Sequence, residues 1–94
     1  MTLDEARLEL DRIDRQMALL FVERLAVIDQ VAAIKRGSGA PVHDPERERL
    51  VIGRLSALTG GTHQDELQQL YGRIFEISRD RQTRLLTDER KAGR

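Results

Sequence analysis

The chain has 94 residues, of which 39% are apolar and only 3% aromatic, and its 16 Lys and Arg balance 16 Asp and Glu to a formal net charge of zero. These values point to one small domain with a core of Leu, Ile and Val, and they exclude a general electrostatic attraction to nucleic acid or membrane surfaces. The absence of cysteine excludes disulfides and thiolate metal sites, and no apolar run approaches the roughly 18 residues of a membrane span.

MTLDEARLEL lacks the basic and apolar regions of a secretion signal, so a reducing cytoplasm is the default expectation. The pattern that follows predicts an all-α chain of three helices. From Leu3 to about Lys35 there is no Pro or Gly, and Leu10, Ile13, Met17, Leu20, Val27, Ile28, Val31 and Ile34 recur at three- and four-residue steps, which describes one long amphipathic helix capped by Thr2. Gly37 and Gly39 should stop it, and Pro41 favours extended backbone. Asp44-Pro45 reads as an N-cap followed by proline at the first helical position, opening a second helix with Leu50, Val51, Leu55 and Leu58 inward. Gly60-Gly61 closes that helix. The third should run from about Gln64 to Leu86 with Leu67, Leu70, Tyr71, Ile74 and Phe75 inside, and Thr62 with Asp65 forms a weak capping-box signal. Residues 1–86 would then be the helical domain, and 87–94 a flexible, solvated tail.

The first helix is too long for its chain. About 33 residues at 1.5 Å rise span roughly 50 Å, whereas a compact chain of this size has a diameter near 30 Å. One end must project with its apolar stripe uncovered, and a second copy is the simplest cover, so an intertwined homodimer is expected.

Several polar residues interrupt the apolar faces. At 100° per residue, Arg24 lies within about 20° of Ile13, Met17, Val31 and Lys35 around the first helix, which places two cations inside the stripe. Ser78 and Gln82 continue the inward face of the third helix. Taken singly, the cations are accounted for by snorkelling to solvent or by local carboxylates, and the amide by hydrogen bonds to its neighbours. Together with the charged stretch at 44–48, they describe a polar pocket suited to a small anion. Arg24 and Lys35 are about 16 Å apart along the axis, within joint reach of one ligand, whereas Arg7 is about 25 Å from Arg24 and could join them only from a second subunit.

The run L-x-x-x-R-x-x-x-D-x-I-D-x-x-x-x-x-L-x-x-x-R from Leu3 to Arg24, then Lys35, P-V-x-D-P-x-R-E from Pro41 to Glu48, and S-x-x-x-Q from Ser78 to Gln82, closely resembles the all-helical AroQ-type chorismate mutases. The resemblance implies that chorismate, a small dianion, is rearranged to prephenate with no cofactor and no metal. It further implies that Arg24, Arg47 and Arg7 of the other subunit bind the two carboxylates. Lys35 would contact a carboxylate and the ether oxygen of the breaking bond, and Gln82 would reach that oxygen from its other side. Glu48 and the backbone at Asp44 would meet the ring hydroxyl, and Ser78 a carboxylate. Two rival readings are an isochorismate pyruvate lyase of the same fold, disfavoured by the polar residues at Asp44 and Glu48, and a non-catalytic helical dimer whose internal charges fix helix register.

Overall fold

The structure, a computed structural model, describes residues 1–92 and contains three helices. Helix α1 spans Leu3–Ser38, α2 spans Pro45–Leu58 and α3 spans Gln64–Ala92. Among the described residues there is no strand.

Local chemistry sets most of these boundaries. At the start of α1 the Thr2 hydroxyl accepts from the Glu5 N–H at 3.1 Å while the Glu5 carboxylate accepts from the Thr2 N–H at 3.3 Å, a reciprocal capping box that satisfies two otherwise unpaired donors. Asp4 and Glu5 in the first turn and Lys35 and Arg36 in the last complement the helix dipole. The helix ends three residues beyond the expected Lys35, because Gly37 is accommodated inside it. The stop is Gly39, whose left-handed backbone (φ 74°) lets its N–H reach the Lys35 carbonyl at 2.7 Å. Asp44 caps α2 as expected, its carboxylate accepting from the Arg47 N–H at 3.1 Å with Pro45 in the first turn.

Helix α3 begins at Gln64 as expected, but its N-terminal cap and its C-terminal end differ from expectation. The Thr62–Asp65 capping box does not form: the Thr62 hydroxyl donates back to the Thr59 carbonyl at 2.7 Å, and His63 at φ 59° immediately precedes the helix. At the other end α3 continues past Leu86 to Ala92. The sequence there offers no Gly or Pro before Gly93, and the Thr87 hydroxyl donates to the Thr83 carbonyl at 2.8 Å within the helical ladder. Residues 93–94 of the expected tail lie outside the described residues.

Helix α3 packs against both α1 and α2, which do not approach each other closely along their backbones. A wedge of space therefore remains between α1 and α2, floored by α3. Asp29 on α1 and Arg81 on α3 form a two-pronged ion pair at 2.5 and 2.8 Å that fastens these helices together. The hydrogen bond from Arg81 holds the Asp29 carboxyl below the usual carboxylate range and raises the Arg81 guanidinium in turn.

The chain is elongated, with a radius of gyration of 16.9 Å and extents of 59 × 27 × 15 Å, against about 12 Å for a compact chain of this length. Its own core is small: among the described residues Ala32 and Phe75 are the buried apolar ones, while Leu8, Leu10, Met17, Leu19, Leu20, Val22 and Ile34 on α1 are exposed. Three residues expected inside are also exposed in the single chain, namely Leu50, Leu58 and Leu70, whereas Val51, Leu55, Leu67, Tyr71 and Ile74 are half-buried. Leu50 lies about 100° around α2 from Val51, off the face that meets α3. Leu58 is the last residue of α2, where the chain is already turning away.

Candidate active site

The wedge between α1 and α2 is a cavity of about 320 Å³, within the size range of small-molecule sites. Seven of the eight residues expected to form a site line it: Arg24 and Lys35 from α1, Asp44, Arg47 and Glu48 from the start of α2, and Ser78 and Gln82 from α3. Val27, Ile28, Val31, Val51 and Phe75 supply its apolar walls. Arg7 is exposed in the first turns of α1 and does not line the cavity.

Arg24, Lys35 and Ser78 are each held by a specific neighbour. Arg24 is half-buried, its Nη1 donating to the Ser78 hydroxyl at 2.7 Å and its guanidinium carbon 5.8 Å from the centre of the Phe75 ring. Ser78 in turn donates its own proton to the Ile74 carbonyl at 2.8 Å, so its lone pairs face Arg24. Neither contact is the escape to solvent or to a local carboxylate that a structural role for Arg24 would produce. Lys35 Nζ donates to the Val42 carbonyl at 3.0 Å, which draws the loop after α1 over the cavity and leaves ammonium protons for a ligand. Arg47 is exposed in the first turn of α2, beside backbone N–H groups that carry the positive end of the helix dipole.

Gln82 is the most telling residue. It is 5% exposed, and its Oε1 is buried with no hydrogen-bond partner. No described protein group satisfies this oxygen, so the carboxamide is a polar group held ready at the cavity wall. Leaving such a group unpaired costs about 1–3 kcal/mol, a cost relieved when a ligand supplies the missing partner.

Arg79 belongs to this site although the sequence reading did not single it out. It lines the cavity, and its Nη1 donates to both oxygens of Glu48 at 2.7 and 2.6 Å. A signal existed: Phe75, Ser78, Arg79 and Gln82 follow the i, i+3, i+4, i+7 spacing of one helix face. His43, also given no role, stands 4.0 Å from Glu48. Arg24, Lys35, Arg47 and Arg79 against Asp44 and Glu48 leave the lining with a formal excess of two positive charges. An arrangement of fixed cations, an unpaired amide and an apolar wall can grip a compact dianion and solvate charge that develops on it.

Residues 6–83 match the sequence profile of the family described as chorismate mutase type II. The chain belongs to this family. The match ends one residue beyond Gln82, so the whole cavity lies within the chorismate mutase type II region. Among curated relatives, a chorismate mutase of Methanocaldococcus jannaschii is 38% identical over 75 residues, covering 80% of this chain and 74% of that protein. The T-protein of Haemophilus influenzae is 35% identical over 78 residues, covering 81% of this chain and 21% of the relative. A bifunctional chorismate mutase/prephenate dehydratase of Aquifex aeolicus is 33% identical over 73 residues, covering 78% of this chain and 18% of the relative. The chain thus spans about a fifth of the length of the two larger relatives. No solved structure matches it significantly. No helix among the described residues is long and apolar enough to cross a membrane.

Proposed function

We propose that the protein is a chorismate mutase, an isomerase that converts chorismate to prephenate by an intramolecular rearrangement. The observation that carries this reading is the single cavity in which a family member gathers Arg24, Lys35, Arg47, Glu48, Ser78 and Gln82 around an excess of positive charge. The reaction breaks a carbon–oxygen bond and forms a carbon–carbon bond within one molecule, so no proton, nucleophile or cofactor has to be exchanged. Two tasks remain for the protein. Arg24 and Arg47 grip the carboxylates and hold the flexible dianion in its folded, reactive conformer, the orientation contribution to rate. Lys35 and Gln82 donate to the ether oxygen as negative charge grows there, the electrostatic contribution. The burial of Gln82 at the cavity wall supports this role; because the oxygen left without a partner is an acceptor, donation requires the amide to turn about its last bond so that its NH₂ faces the ligand. Glu48 and the backbone at Asp44 receive the ring hydroxyl, and Ser78 positions Arg24 and meets a carboxylate.

The functional unit in this reading is an intertwined homodimer, in which Arg7 of one copy completes the cavity of the other. It is supported by the exposed apolar stripe of α1 and by a second, mainly apolar cavity of about 480 Å³ between α1 and α3, lined by Met17, Leu20, Phe21, Leu70, Tyr71 and Ile77. Arg24 borders both cavities, so a helix laid in the second would bring its residues beside the first. A cysteine-free chain with this chemistry fits the cytoplasm. The test is the turnover of chorismate by Arg24→Ala and Lys35→Ala. Each should lose on the order of a hundredfold or more in kcat while keeping the fold and assembly of the wild type; near-normal turnover in either variant would refute the assignment.

A further inference from the structure

The ion pairs Arg12–Glu9, Arg49–Glu46 and Arg73–Glu76 join residues one turn apart on a single helix. Arg79–Glu48 is of another kind: it links α3 to α2 at the wall of the cavity, 31 residues apart in sequence, with Arg79 27% and Glu48 24% exposed. A charge-assisted pair partly withdrawn from water is stronger than an exposed surface pair. The other carboxylate on the wall, Asp44, already accepts from the Arg47 backbone N–H through Oδ1. Glu48 is therefore the acid whose orientation depends on a side chain from a different helix. Without that tether its carboxylate would have the Lys35 ammonium and the Arg47 guanidinium within the same cavity as alternative partners.

We propose that Arg79 is a positioning residue: it fixes the Glu48 carboxylate where it accepts the hydroxyl of a ring-alcohol dianion, and does not itself touch the ligand. This rests on the chorismate reading of the cavity, and it adds a residue through which recognition of the hydroxyl is set. A simple contribution to folding or to cavity charge would affect every anionic ligand alike. Positioning of Glu48 affects those that carry the hydroxyl.

The experiment uses the full chain and two bicyclic dicarboxylate mimics of the transition state, one with the hydroxyl and one without, beside chorismate turnover. Arg79→Met should lower kcat/KM about tenfold and weaken the hydroxylated mimic by a similar factor, with the deoxy mimic unchanged. Arg79→Lys, which keeps the charge but replaces the planar guanidinium with a flexible ammonium, should show the same selective loss in smaller measure, and it serves as the probe if Arg79→Met does not fold. In a Glu48→Gln background, Arg79→Met should cost less than about twofold, because the two residues act as one unit. Equal weakening of both mimics, an undiminished loss in the Glu48→Gln background, or no loss at all would overturn the proposal. A wild-type protein that neither turns over chorismate nor binds either mimic would instead overturn the reading of the cavity on which it rests.

Discussion

Replacing Gln82 by methionine changes stability and turnover in opposite directions. The two side chains have nearly the same length and volume, so Gln82→Met preserves packing while removing a buried amide whose Oε1 has no partner in the free protein. The unpaired oxygen costs about 1–3 kcal/mol, and replacing it with an apolar group in a site that is 5% exposed recovers part of that. A gain of about 1–2 kcal/mol is expected, which raises Tm by roughly 2–8 °C if two chains unfold together and by more if one chain unfolds alone. Turnover should move the other way. Loss of one donor to the developing charge costs about a hundredfold in kcat/KM, equivalent to about 2.7 kcal/mol of transition-state stabilisation. Thermal unfolding at matched protein concentration, since association contributes to apparent stability, gives the first quantity, and loss of chorismate absorbance gives the second. A variant that is destabilised would show that the amide has a protein partner in solution. A variant with wild-type turnover would show that Gln82 does not reach the reacting oxygen.

Two further outcomes follow from the same geometry. If Arg7 completes the partner's cavity, Arg7→Ala and Lys35→Ala are each nearly inactive alone, but mixed and reassociated chains recover about a quarter of wild-type activity, because half the dimers are mixed and each of these holds one intact site; no recovery on mixing, with exchange verified by mass, would place Arg7 outside the site. Asp29 is held below the usual carboxylate range by Arg81, so the pair stabilises the fold above about pH 4, where an unfolded-chain aspartate is ionised, and the contribution disappears as pH falls through the lowered folded value. Asp29→Asn should therefore be less stable than wild type near neutral pH and converge with it in acid, as read from denaturation midpoints; a gap that persists at low pH would mean the residue acts by other contacts.

Much of this architecture was legible in the sequence because it is written in local signals. Thr2 with Glu5, Gly39, and Asp44-Pro45 each act within a few residues, and a 33-residue run without Pro or Gly leaves little alternative to one long helix. The departures arise where local and distant forces compete. Thr62 was available as a cap, but its hydroxyl found a carbonyl at Thr59 in the tight turn through Gly60 and Gly61. Leu50, Leu58 and Leu70 have inward periodicity, yet one chain supplies only a single helix, α3, as cover for both of the others. Among the site residues, Arg24, Ser78 and Gln82 stood out because polar groups interrupt apolar faces. Arg79 did not, since an arginine in the sequence SRDRQTR looks like one of many surface charges. Its pairing with Glu48 across two helices is a tertiary fact, visible only once α2 and α3 are set side by side.

The most direct measurement is the identity of the product when purified protein is given chorismate, followed by proton NMR as the ultraviolet absorbance falls. Enzyme-dependent formation of prephenate, with no pyruvate released and no product from the Lys35→Ala protein, is the predicted result. Chorismate that decays no faster than in buffer alone, or conversion of isochorismate to pyruvate without any prephenate from chorismate, would contradict the account.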